Sequence, residues 1–130
     1  MREMKRLLVV AAGCEALTGL GLVVDPLLVV QLLLGARPSG AGLAMSRVAG
    51  IALLGLGLAC WPDRDVIASR APLRAMLVYN VLATLYLLFL GVGGESVGPL
   101  LWPAGGAHAV LTIWCFAVIL RPAPPAGQTA

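Results

Sequence analysis

Residues Leu7–Val24, LLVVAAGCEALTGLGLVV, decide how this chain is read. At 1.5 Å of rise per residue the stretch is long enough to cross a bilayer as a helix. Its one charged residue, Glu15, falls close to the midpoint. A charge at that depth is costly and faces the interior of a bundle, so it marks a place where other polar groups gather. Ala11, Ala12, Glu15, Thr18 and Gly19 follow i, i+3, i+4 and i+7 spacings and share one face. That face is small and polar, which suits close packing against other helices.

Composition agrees with a membrane solvent. The chain has 130 residues, 60% hydrophobic and 12% charged, against about 25% charged in a soluble domain. A soluble protein of this length could not hide so much apolar surface. The net charge of +3 does not point to nucleic acid, because the basic residues flank apolar runs and form no patch interleaved with aromatics. Cys14, Cys60 and Cys115 lie inside apolar runs, with no CxxC and no Cys/His spacing for a metal, and read as small buried hydrophobes. An abundance of Ala, Gly, Leu and Val, with eight Arg to one Lys, suggests a GC-rich bacterial genome. MREMKR followed by LLVVAA resembles the start of a signal peptide, and Ala11–Cys14 loosely resembles a lipoprotein cleavage box. The apolar run before Cys14 is only about 7 residues and apolar character continues past Glu15, so the expectation is a retained first span.

The remaining spans follow in order. Helix one covers 5–24, and Asp25-Pro26 breaks it. LLVVQLLLGA, 27–36, is too short to span and reads as a short interfacial helix capped by Gly35. One long helix kinked at Pro26 is the competing reading. ARPSGAG, 36–42, is a loop. Helix two covers 43–61, with Arg47, Gly50, Leu54 and Gly57 on one stripe and a small-xxx-small pair at Gly55 and Ala59. A charged connection, 62–72, leads to helix three, 73–92, where Met76, Asn80, Ala83, Thr84 and Leu87 share a face and Tyr79 and Tyr86 lie at other angles. A Gly-rich turn, 91–99, precedes helix four, 100–120, whose small and polar stripe is Gly105, His108, Thr112 and Cys115. Trp61 and Trp102 stand at helix ends, where a membrane places its aromatic belt. The expected fold is all-α: a four-helix transmembrane bundle with a short extra helix between helices one and two. Residues 1–121 form one four-span domain, and 122–130 a Pro-rich extended tail.

With four spans the two termini and the middle loop share a side. That side holds Arg2, Lys5, Arg6, Arg64, Arg70, Arg74 and Arg121, and the other Arg37 and Arg47, while the turn before helix four carries Glu95. The bias places both termini in the cytoplasm and the protein in a bacterial inner membrane.

Each helix contributes a conspicuous polar group: Glu15, Arg47, Asn80 and His108, with Thr18, Thr84 and Thr112 beside them. Depths counted along the helices put Arg47 roughly 8 Å from the level of Glu15, so a Glu15–Arg47 pair with His108 close by is expected. Such a pair lowers the cost of both charges. Thr84 and Thr112 can bond their own helix backbones. Three readings stand open: helix glue, an outer-leaflet pocket for a lipid headgroup, quinone or small apolar molecule, and ion or proton translocation through Glu15 and His108. His108 has no second His or Cys on its face to hold a metal. No HExxH, GxSxG, P-loop or Gly-rich nucleotide fingerprint is present, so catalysis has little support.

The charged N-terminus, Glu15 in helix one, Asp25-Pro26 after it, the apolar segment ending in Gly35, Arg47-x-x-Gly50 opening helix two and His108 early in helix four together resemble the small four-helix DoxX-like membrane proteins, over about residues 5–120. The resemblance implies a four-helix membrane bundle, in some members an accessory subunit of quinone-linked redox complexes. It carries over no catalytic residue. The leading expectation is a non-enzymatic accessory or scaffold subunit without a cofactor of its own, in contact with membrane lipid, with a quinone or small apolar ligand as the candidate occupant of its pocket. Its other candidate partners are further copies of itself or a larger membrane complex. A small oligomeric transporter is the alternative.

Overall fold

The computed structural model describes residues 2–63, 69–94 and 97–120. Arg64, Glu95, Arg121 and the Pro-rich tail lie outside the described residues. Among the described residues the protein is all-helical: α1 (Arg2–Val24), α2 (Pro26–Leu34), α3 (Ala41–Ala59), α4 (Ala71–Gly93) and α5 (Leu101–Ile119). All but α2 are long and apolar enough to cross a membrane. Large apolar side chains stand exposed around them, among them Leu17, Ile51, Leu58, Phe89 and Ile113, as the outer surface of a membrane bundle requires.

The break after α1 is built by side-chain chemistry. Asp25 caps α2 by accepting a hydrogen bond from the Leu28 amide at 3.0 Å, and Pro26 occupies the first turn, where its missing N–H is no loss. α2 ends at Gly35, whose φ of 69° favours glycine, and the Gly35 amide bonds the Gln31 carbonyl at 2.9 Å. The two-helix reading therefore holds over the single kinked helix. α2 is then fastened to the entrance of α5, because Gly98 N–H donates to the Leu33 carbonyl at 3.1 Å and Leu100 N–H to that of Leu32 at 2.9 Å. Backbone groups that lipid could not satisfy are thereby satisfied by the chain itself.

The helices pack chiefly as two pairs, α1 with α3 and α4 with α5. α1 and α3 touch backbone to backbone. A Cβ on Gly50 would lie 2.7 Å from the Gly19 carbonyl oxygen, and one on Gly57 would lie 2.8 Å from that of Ala12. In lipid, apolar burial gives little drive for helix association, so such close approach is what holds a pair together. The small residues that make this contact are thus Ala12, Gly19, Gly50 and Gly57. Gly55 and Ala59, the small-xxx-small pair expected from sequence, are exposed, and a Cβ on Gly55 would meet nothing within 4 Å. That pair faces away from α1, on the other side of α3.

Leu7, Leu8, Ala11 and Ala12 of α1 meet Leu73 and Met76 of α4, Leu111 and Cys115 of α5, and Cys60 just beyond α3 in one dry cluster. This core fills the half of the bundle nearest the amino terminus. At that end Arg70 donates to the Ile119 carbonyl at 3.4 Å, tying the start of α4 to the last turn of α5. Of the three cysteines, Cys60 and Cys115 are buried, whereas Cys14 is exposed on the outer face of α1, so burial was the wrong expectation there.

Candidate functional site

Directly beyond the dry core, α1, α4 and α5 each place polar groups in the bundle interior. Glu15 is 2% exposed and Asn80 is fully buried. His108 is half-buried and faces both. Each position follows from helical period: Glu15 extends the buried stripe of Leu8, Ala11 and Ala12, Asn80 lies one turn after Met76, and His108 one turn before Thr112.

The hydrogen bonds assign the protons. Asn80 Nδ2 donates to the Met76 carbonyl at 2.8 Å, which fixes the amide with Oδ1 toward α5. His108 Nδ1 lies 2.8 Å from that Oδ1. An amide oxygen only accepts, so Nδ1 must carry the hydrogen and donate it. Glu15 Oε1 is 3.9 Å from the same Nδ1, beyond hydrogen-bond distance and close enough for an ion pair when the imidazole is doubly protonated. Tyr79 completes the group. Its ring meets the imidazole edge-on, with centroids 5.6 Å apart. Thr84 Oγ1 donates to the Asn80 carbonyl at 2.7 Å, so its hydroxyl is satisfied on its own helix as expected. Thr112 is otherwise: its buried Oγ1 has no partner among the described residues, and neither has Glu15 Oε1.

The sequence-derived set is thus divided. Glu15, Asn80 and His108 come together, with Thr84 and Thr112 one turn away on α4 and α5. Thr18 and Arg47 are exposed and stand apart. The expected Glu15–Arg47 pair does not form, and His108 is the basic group beside Glu15. The reason lies in the register of α1 against α3. Gly19 faces Gly50 and Ala12 faces Gly57, so Arg47 stands level with Leu22, about 10 Å along the bundle from Glu15. An arginine near a helix end reaches water more readily than it reaches a buried carboxylate. Tyr79 is the residue that sequence reasoning missed. Its signal was depth: a tyrosine well inside a span, away from the interfacial belt, needs a partner for its hydroxyl.

Carboxyl, imidazole and phenol can each hold or pass a proton. Among the described residues no three of His, Cys, Asp and Glu gather to hold a metal ion. Beside the cluster, toward the far end of the bundle, a groove of about 230 Å³ opens between α4 and α5. Thr84, Leu87, Leu88, Trp102, Gly105 and Gly106 are among its walls. Thr84 is the candidate residue that reaches it, and through the Asn80 carbonyl it links the groove to the polar cluster.

Compared with family models, with curated proteins and with solved structures, the chain finds no match in any of the three.

Proposed function

We propose that this chain is a small non-enzymatic subunit of a bacterial inner membrane, an accessory or scaffold protein with cytoplasmic termini, whose α4–α5 groove in the outer half takes a lipid chain or a quinone. One observation carries the scaffold reading: Glu15, Asn80 and His108 come from three different helices and sit against one another inside the bundle. Polar side chains used in that way fix which helices meet and at what depth. The groove supports the ligand, since its walls are almost entirely apolar and include a Trp102 face on which a flat ring or a chain can lie. The bias of Arg2, Lys5, Arg6, Arg70 and Arg74 to one end of the bundle supports the orientation. The resemblance to DoxX-like proteins supports an accessory role beside a redox complex.

A second reading, proton translocation by an oligomer, is favoured by the unpartnered Glu15 Oε1 next to His108. Glu15→Gln separates the two. In the scaffold reading the variant lowers resistance to unfolding in detergent, and the wild-type protein adds no proton flux to liposomes. Translocation requires the reverse: wild-type flux that the variant abolishes while its stability is unchanged.

A further inference from the structure

We propose that a groove at the amino-terminal end of α1, lined by Arg2, Lys5, Arg6, Val9 and Val10, is a binding site for an anionic phospholipid. The groove has a volume of about 340 Å³ and is separate from both the polar cluster and the α4–α5 groove. Its five residues follow i, i+3, i+4, i+7 and i+8 spacing and form one stripe. The buried stripe of α1, from Leu7 through Glu15 to Gly19, lies on another side of the helix. Along roughly 12 Å of helix the lining changes from three cations to two exposed valines. That order, charge at the bundle end and apolar surface deeper in, is the order of a phospholipid from phosphate to acyl chain. The apolar track continues at Gly13, where a Cβ would meet nothing within 4 Å, and at the exposed Leu17.

Charge argues for an anion. Arg6 is paired with Glu3 at 3.3 Å, which leaves Arg2 and Lys5 without an ion-pair partner among the described residues. All three cations also sit at a helix amino terminus, where the macrodipole is positive and an anion is the favoured neighbour. A soluble phosphate would use the cations and leave Val9 and Val10 bare, and a zwitterionic lipid would use the valines while bringing no net charge. An anionic phospholipid meets both halves of the stripe.

The test uses the full chain in nanodiscs of phosphatidylcholine carrying traces of spin-labelled phosphatidylglycerol or spin-labelled phosphatidylcholine. The expected result is several-fold preferential association of the glycerol lipid with the wild-type protein. R2Q/K5Q/R6Q should bring that preference to within about twofold of none, since the three juxtamembrane cations it removes are the groups that favour anionic lipid. These side chains are exposed, so the variant should keep its helical content. R70Q/R74Q, at the same end of the bundle, should retain the preference. The proposal is overturned by a wild-type protein without preference, by a triple variant that keeps it, or by R70Q/R74Q losing it equally, which would mean a diffuse field. Displacement of the labelled lipid by millimolar glycerol phosphate would also overturn it, in favour of a soluble anion.

Discussion

His108 on α5 donates its Nδ1 hydrogen to Asn80 Oδ1 on α4 across 2.8 Å, at the level where Glu15 enters from α1. The bond is directional because the Met76 carbonyl holds the Asn80 amide in one orientation. It therefore also sets the histidine tautomer, with Nδ1 protonated and Nε2 left for another contact. Three helices are thereby referenced to one depth, which apolar packing alone does not do, since leucine faces can slide past one another at little cost.

Replacing Asn80 by Leu should lower stability by about 1–2 kcal/mol, because His108 Nδ1 is left without its acceptor in a half-buried place. The Thr84 hydroxyl would be unaffected, since it bonds the Asn80 main chain. Unfolding in SDS, followed by helical circular dichroism, measures the loss. In a double-mutant cycle with His108→Phe the two losses should fall short of additive, with a coupling of roughly 1 kcal/mol. Full additivity would mean that the two side chains act independently.

Gly50→Ala and Gly55→Ala should behave oppositely although they are five residues apart in one helix. The new Cβ at position 50 meets the Gly19 carbonyl oxygen and, at 3.0 Å, the Val23 amide nitrogen. Both are backbone atoms of α1 and cannot step aside, so α3 must shift. Overpacking of this kind costs about 1–3 kcal/mol. At position 55 the Cβ enters open space, and the better helix propensity of Ala makes that change neutral or stabilising by up to about 1 kcal/mol. The same SDS titration compares them. Equal effects would place the α1–α3 contact elsewhere on α3.

The sequence made the four spans, the short helix and the buried faces of α1 and α4 legible, because each rests on local rules. Asp25-Pro26 and Gly35 cap and stop helices whatever surrounds them, and apolar length alone fixes a span. The glycine stripe Gly50 and Gly57 could be read, but not its register against Gly19 and Ala12, which depends on how two backbones meet. That register decides whether Arg47 reaches Glu15, so the expected pair failed for a tertiary reason. Tyr79 was passed over because its angle on α4 differs from that of Asn80. It reaches the cluster because α5 packs beside it and brings His108 against its ring.

Gly98→Ala should detach α2 from the entrance of α5. A Cβ on Gly98 would collide with the Leu32 carbonyl, the acceptor for Leu100 N–H. The two hydrogen bonds from Gly98 and Leu100 should then open together. Hydrogen–deuterium exchange of the peptide spanning 97–101 should speed up by about tenfold or more. Gly93→Ala serves as the control, since a Cβ there meets nothing within 4 Å. Unchanged exchange in Gly98→Ala would show that α2 is held by side-chain packing instead.

Gly106→Leu should empty the α4–α5 groove without loosening the bundle. Gly106 is exposed, lines the groove and has nothing within 4 Å of an added Cβ, so a leucine there projects into the space a ligand would occupy. Burying methylenes against Leu88 and Trp102 should leave stability equal to wild type or higher, and the change from Gly to Leu favours the helix. Binding of a photoreactive quinone or acyl-chain probe, mapped by mass spectrometry to α4 and α5, should fall at least fivefold. Gly105→Ala is the milder companion: its Cβ would sit 3.7 Å from Leu87 Cβ, in ordinary contact, and removes little of the groove. Labelling that survives Gly106→Leu at wild-type level would mean that the probe binds another surface of the bundle, and the groove would lose its part in the proposed function.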